Sequence, residues 1–309
     1  MASGSSSRIA GRPAVGIVGA GAIGAGAARR LAATGHPVTA FDLDEARVAA
    51  LAGAGVAAAG SGRELAAGAD VVLLTLPDTP HVEAAVEGDD GLAAGLRPGT
   101  TVLLMSTVDP ETPRRLAERL GPLGVAVLDS PLSGGPVAAE AGALTLMVGG
   151  DDDAFAAARP VLDALGDRVV HIGPVGSGEV AKLVNNLMGA VIAVGIAEGL
   201  AVAAKAGVDV ERVREAVAGG SGGSWILSEW LPRTVLTAER PTHFAIDLMC
   251  KDMRLVRELA GGLGVEIDAG ALAERTFEEL RRDGLGDQDF SILAAVRAEQ
   301  AGARLPVVG

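Results

Sequence analysis

From residue 13 onward, short unbroken apolar runs alternate with longer stretches whose apolar residues recur at helical spacing. Pro13 to Val18 is such a run, and Gly19-Ala20-Gly21-Ala22-Ile23-Gly24 follows directly. A helical stretch comes next, Ala25 to Thr34, closed by Gly35. A second strand, Pro37 to Phe41, ends at Asp42. Further strands are predicted over Asp70 to Leu76, Thr101 to Ser106, Ala126 to Asp129 and Leu144 to Val148. Helices such as Pro110 to Leu120 and Ala154 to Leu165 lie between them. Repeated strand–helix units predict an α/β domain over 13–173, a Rossmann-type doubly wound parallel sheet. Ligands of such a sheet bind beyond the C-terminal strand ends, where Pro77 and Thr107 sit. The alternative reading is that either residue is a mere strand terminator.

The pattern changes at Gly173-Pro174. Beyond it the periodicity is helical: Glu179 to Ala206, Asp209 to Ala218, Trp225 to Leu231, Phe244 to Leu263, Ala269 to Arg282 and Ser291 to Gln300. This predicts a second, all-α domain over 174–309. Residues 1–12 are rich in Ser and Gly and read as a flexible tail, not a signal peptide. Leu183 to Ala204 is long enough to span a bilayer. It holds Asn185, Asn186, Glu198 and three Gly, so a helix buried between domains or subunits is expected, and no membrane.

Composition narrows the chemistry. The chain has 309 residues, 49% apolar, with a formal net charge of -13, which repels nucleic acid. Aromatics make up 2% and Tyr is absent, which excludes a tyrosine proton donor. One Cys, Cys250, excludes an internal disulfide and any multi-cysteine metal site. The four His are far apart and none forms a metal-ligand pair, so no metal is expected. A cytoplasmic location is expected. Of 26 basic residues only Lys182, Lys205 and Lys251 are Lys. Arg stays protonated near neutral pH, whereas Lys releases its proton when its surroundings lower its pKa.

The glycine string opens a helix after a strand, and Asp42 lies 18 residues beyond Gly24. That context is the dinucleotide-binding signature. Gly19 permits the tight turn, Gly21 lets the backbone approach a pyrophosphate, and Gly24 allows close helix–strand packing. The first-turn N–H groups of the helix, from Ala22 and Ile23 onward, face the phosphates. Asp42 would accept hydrogen bonds from the ribose hydroxyls and repel a 2′-phosphate, which favours NAD. A nearby Arg47 keeps NADP possible.

Three further elements carry candidate chemistry. Lys182 and Asn186 stand at i and i+4, on one helix face, with Gly178, Gly189 and Ala193 on the same stripe. Small neighbours leave room there for a small molecule, and a buried Lys suits general acid–base work. The bland alternative is a Lys that snorkels to water. Ser133, Gly134 and Gly135 follow a predicted strand and offer N–H groups and one hydroxyl to a carboxylate, unless the loop is Gly-rich only to turn. Lys251-Asp252 is the last, with an Asp247–Lys251 surface ion pair as its alternative.

Four motifs in order now make the chain resemble the 3-hydroxyisobutyrate dehydrogenase (β-hydroxyacid dehydrogenase) family, over about Val15 to Val296. They are Gly19 to Gly24; Asp129 to Gly135 with Gly142 to Gly150 behind it; Gly176 to Asn186; and Lys251-Asp252. The resemblance implies hydride transfer between NAD(P) and a small anionic β-hydroxy acid or its semialdehyde. It implies that Lys182 exchanges a proton with the substrate oxygen and that Asn186 orients the substrate. It implies that Ser133, Gly134 and Gly135 hold the carboxylate, and that Lys251 approaches cofactor and substrate. Thr107 would line the nicotinamide ribose, and Leu76 and Pro77 the dinucleotide. A homodimer or homotetramer is implied as well. Ile23 stands where the family usually has Met, and Ser130-Pro131-Leu132 where Ala-Pro-Val is common.

Two rival readings share the architecture. Imine reductases typically carry Asp or Tyr at the position of Lys182. A non-catalytic dinucleotide-binding module would not need Lys182, Asn186, Ser133 and Lys251 together. Decarboxylating phosphogluconate dehydrogenases have a longer helical domain than this chain provides.

Overall fold

The computed structural model describes residues 11–307. The tail expected over 1–12 lies, up to residue 10, outside the described residues. Compactness divides the chain into two units, one up to Lys182 and one from Leu183.

In chain order, the first unit holds β1 (Val15–Val18), α1 (Ala22–Ala33), β2 (Val38–Phe41), α2 (Glu45–Ala49), β3 (Ala57–Ala58), α3 (Gly62–Gly68) and β4 (Val71–Leu74). It continues with α4 (Thr79–Val86), β5 (Thr101–Leu104), α5 (Glu111–Leu120), β6 (Ala126–Asp129), β7 (Leu132–Ser133) and α6 (Gly135–Ala141). Last come β8 (Leu144–Gly149), α7 (Asp152–Leu165) and β9 (Gly166–Gly173). Helix α8 (Ser177–Lys205) begins in this unit and continues into the second.

The sheet order is β3-β2-β1-β4-β5-β6-β8-β7, with β9 on β8. Strands β3 to β6 are parallel, paired in register such as Val15 with Val38 and with Val71. The alternation of side chains along each strand explains the helices on both faces. Val71 and Leu73 pack with Ala27, Ala28 and Leu31 of α1 and with Val161 and Leu162 of α7. Val72 and Leu74 pack with Leu65 of α3, Val82 and Val86 of α4, and Leu116 and Leu120 of α5. Each fully buried Leu or Val contributes about 1.5–3 kcal/mol.

The Rossmann-type doubly wound sheet is as expected in its parallel part, and one detail differs. Strand β8 was expected to continue the parallel series, yet it runs antiparallel to β6 and β7. The connection from β6 to β8 contains the single short helix α6 and the two-residue β7. The edge strand β9, half exposed along Gly166–Gly173, carries too few apolar residues in sequence to read as buried.

The second unit is helical: the rest of α8, α9 (Val210–Ala218), α10 (Ile246–Leu263), α11 (Asp268–Leu280) and α12 (Ile292–Gln300), with short turns over Ile226–Arg233 and Arg281–Leu285. Its core joins Ala190, Ala193, Val194, Ala197 and Leu200 of α8 to Met249 and Met253 of α10, Phe277 of α11 and Leu293 of α12. Among the described residues α8 is the one helix long and apolar enough to cross a membrane. Its apolar residues instead supply one side of this core, while Val184, Met188 and Val202 stay exposed.

Candidate active site

Parallel strands bring their C-terminal ends to one edge of the sheet. Gly19, Asp42, Leu76-Pro77 and Ser106-Thr107 therefore follow β1, β2, β4 and β5 on a common edge. Gly19 has φ +95°, and a Cβ there would lie 2.6 Å from the Thr75 carbonyl oxygen. A Cβ on Gly24 would lie 1.9 Å from the Gly19 oxygen, so only Gly lets α1 leave the sheet this closely. Around Gly21 nothing comes within 4 Å of a built Cβ, so that side of the turn is open. Thr75 Oγ1 donates to the Gly19 carbonyl at 2.6 Å and fastens the turn to β4.

Five other helices have side-chain caps: Asp44, Ser61, Asp78, Asp151 and Asp209. Helix α1 has none at Gly21, and no acid in its first turn. No cap side chain accepts from its first N–H groups, as is also true of α5, α6, α10, α11 and α12, so those of Ala22, Ile23 and Gly24 are able to take an anion. An uncapped helix, an open Gly21 and an acid at the end of β2 together fit a dinucleotide.

Asp42 is already engaged. Its Oδ2 accepts from the Ala20 N–H at 2.6 Å and its Oδ1 from the Asp44 N–H at 2.9 Å. Arg47 lies 3.8 Å from Asp42 and 3.3 Å from Asp44. The acid therefore shapes the turn. At the ends of β4 and β5, the Leu76 N–H donates to Ser106 Oγ at 2.9 Å.

The Ser133-Gly134-Gly135 segment runs from β7 into α6. Gly134 has φ +125° and Gly135 φ +71°, and a Cβ on Gly134 would lie 2.6 Å from Ala138 Cβ. Consecutive positive φ values turn successive N–H groups toward one side, a geometry that suits a carboxylate.

Sequence reasoning missed what anchors α8. Asp129, at the end of β6, is fully buried. Its Oδ1 accepts from the Gly176 N–H at 2.6 Å and its Oδ2 from the Glu179 N–H at 2.9 Å. Burial pushes its carboxyl above the ordinary carboxylate range, against the opposing pull of N–H bonds from Gly176, Glu179 and Gly178. Glu179, equally buried, accepts from the Val108 N–H at 3.2 Å. A signal existed: two acids in otherwise apolar or small surroundings, one ending a strand and one starting a helix. The small-residue stripe was misread at one position. Gly178 is small because Met147 O and Asp129 crowd it, at 2.3 and 2.8 Å from a built Cβ, and not to make room for a ligand.

Lys182 is buried, 8% exposed, which removes the snorkelling alternative. Asn186, one turn later, is 7% exposed. Its Nδ2 donates to Asp252 Oδ2 at 2.5 Å, and its Oδ1 accepts from Asn185 Nδ2 at 3.0 Å. Asp252 Oδ1 meets Lys251 Nζ at 3.0 Å. In the second unit, then, one buried Asp joins Asn186 to Lys251. Cys250 is buried next to it in sequence, and its thiol is pushed up to about 12 by burial, so it is no nucleophile near neutral pH. Among the described residues no group of His, Cys, Asp and Glu could hold a metal ion.

Residues 14–173 match the family described as the NAD binding domain of 6-phosphogluconate dehydrogenase. Residues 176–297 match the family described as NAD-binding of NADP-dependent 3-hydroxyisobutyrate dehydrogenase. An NAD-dependent L-serine dehydrogenase of Pseudomonas aeruginosa is 38% identical, over 90% of this chain and 96% of its own. A 3-hydroxyisobutyrate dehydrogenase of the same organism is 36% identical, over 85% and 90%. Among solved structures, a 3-hydroxyisobutyrate dehydrogenase of Mycobacterium tuberculosis with L-serine superimposes with a TM-score of 0.83 at 30% identity, covering 93% of this chain and 99% of that one.

Proposed function

Because the chain belongs to the 3-hydroxyisobutyrate dehydrogenase family, a group of NAD(P)-dependent oxidoreductases of β-hydroxy acids, we propose that it oxidises a small β-hydroxy acid, or reduces its semialdehyde, with Lys182 as the proton-exchanging group. When bound, the nicotinamide supplies the hydride acceptor or donor. Lys182 Nζ takes the hydroxyl proton during oxidation and returns one to the carbonyl oxygen during reduction. Asn186 orients the same oxygen. Ser133 and the N–H groups of Gly134 and Gly135 hold the substrate carboxylate, and Lys251 adds positive charge toward substrate and cofactor. Gly19, Gly21, Ala22, Ile23 and Gly24 hold the pyrophosphate. Leu76, Pro77 and Thr107 line the dinucleotide, and Asp42 favours NAD.

One observation carries this reading. Lys182, one of three Lys in the whole chain, is buried one helical turn before an Asn that is also buried. Burying a charged side chain is expensive, and a structural cation in this Arg-rich chain would be an Arg. The test is turnover of L-serine and 3-hydroxyisobutyrate, followed by NADH absorbance. Lys182→Ala is expected to lower kcat at least a thousandfold with NADH affinity unchanged. Lys182→Arg is expected to fail as badly, because guanidinium does not give up its proton. Wild-type turnover by either variant removes Lys182 from the mechanism.

A further inference from the structure

Two carboxylates of the first unit, Asp129 and Glu179, have no role in the chemistry above, yet both are 0% exposed. A buried acid is justified only by what it holds. Both accept from backbone N–H groups, and those groups belong to two separate segments, the start of α8 and the loop after β5.

Asp129 ends β6, just before the Ser130 to Gly135 segment. It accepts from Gly176 and Glu179, at the start of α8. Gly149 and Gly178 are shaped around it. A Cβ on Gly149 would lie 2.6 Å from Asp129 Oδ1, and one on Gly178 2.8 Å from Oδ2. Glu179 lies in the first turn of α8, three residues before Lys182. Its Oε2 accepts not from its own helix but from Val108, directly after Thr107. Ser106, two residues earlier, accepts in turn from Leu76 at the end of β4. These hydrogen bonds, with the short backbone step from Ser106 to Val108, link the ends of β4, β5 and β6 to the first turn of α8.

We propose that Glu179, working with Asp129, is a positioning residue: the two acids lock the first turn of α8 to the strand ends and so fix where Lys182 stands relative to the Thr107 segment. The proposal rests on the reading of Lys182 given above. Its physical basis is the steep dependence of rate on alignment, since a displacement near 1 Å costs about a hundredfold. A capping role alone does not require Glu179, because Asp129 already takes the N–H groups of this helix start. The Glu179–Val108 bond ties the lysine's helix to the loop after β5.

The experiment uses the full-length enzyme with L-serine and 3-hydroxyisobutyrate as probes, and NADH affinity by fluorescence. Glu179→Ala is expected to lower kcat about thirtyfold or more, with KM and NADH affinity changed less than about threefold. Glu179→Gln keeps an oxygen that accepts from Val108 and is expected to recover most of kcat. Should Glu179→Ala fail to fold, Glu179→Asp takes its place. It keeps the charge but withdraws it by one methylene, and the same loss of kcat at unchanged KM is expected. Wild-type kcat in Glu179→Ala or Glu179→Asp overturns the proposal. So does a Glu179→Gln enzyme as slow as Glu179→Ala, because the accepting oxygen would then not matter. The two readings fail separately: an active Lys182→Ala enzyme sinks the lysine, whereas an active Glu179→Ala enzyme beside a dead Lys182→Ala enzyme sinks only the brace.

Discussion

Helix α8 is held in two different ways along its length. At its first turn the fixed points are backbone: Asp129 accepts the N–H groups of Gly176 and Glu179, and Glu179 accepts that of Val108. Two turns on, the fixed points are side chains: Asn186 to Asp252, and Asp252 to Lys251. Backbone anchors are set by the path of the chain, so they tolerate little change in local geometry. Side-chain anchors depend on rotamers, and each partner costs entropy to hold. The first kind suits a group whose position must be constant. The second suits groups that rearrange when a ligand arrives.

The sharpest way to break this contrast is to remove the acid at the centre of the side-chain cluster. Asp252 is 1% exposed and serves both Asn186 and Lys251. Asp252→Ala leaves a half-buried ammonium and a buried amide without that partner. It is expected to lower the stability of the enzyme by about 3 kcal/mol in a urea titration. Asp252→Asn, which still offers an oxygen to Asn186, should recover part of that. A wild-type midpoint for Asp252→Ala would mean that the cluster holds nothing.

A smaller perturbation sharpens the same comparison with one substitution at two points of α8. At Gly178 a built Cβ meets Met147 O at 2.3 Å, a backbone atom that cannot swing away. Gly178→Ala should destabilise by about 2 kcal/mol through forced backbone shifts. At Gly189 the nearest atom is Ile226 Cδ1 at 3.8 Å, an ordinary contact. Gly189→Ala should stabilise by up to about 1 kcal/mol, because Ala is the better helix former. Thermal melts of the two variants should move in opposite directions. Shifts of the same sign would erase the distinction between a backbone-locked first turn and a more tolerant body.

Most of the architecture could be read from periodicity. The strands Ala126–Asp129 and Thr101–Leu104 and the helices of the second unit lie within a few residues of expectation, because apolar runs and helical spacing report burial directly. The direction of β8 could not be read, since strand orientation is decided by the length and path of the connection rather than by the strand's own residues. The glycine turn and Asp42 were legible as a motif, but the bond from Ala20 to Asp42 was not, because it is a contact across 22 positions of sequence. Asp129 and Glu179 were passed over for a similar reason. Their apolar or small surroundings were a signal, but a weak one, because most acids in a chain of net charge -13 are solvated surface. Lys182 stood out because Lys is scarce here, a signal that the abundant acids could not give.

Asp42 offers the mildest test, and it probes a third mode in which one acid serves both backbone and ligand. Its Oδ2 braces Ala20 in the phosphate turn, while Arg47 sits 3.8 Å away and is also drawn to Asp44. Asp42→Ala removes the acid proposed to repel a 2′-phosphate and frees Arg47 from one of its two carboxylate neighbours. Loosening of the turn affects both cofactors alike, so the ratio of kcat/KM for NAD over NADP isolates the charge effect. That ratio is expected to fall about tenfold, the equivalent of about 1.4 kcal/mol at the ribose. An equal loss with both cofactors would leave Asp42 as a brace for the turn alone, held by its backbone contacts like Asp129.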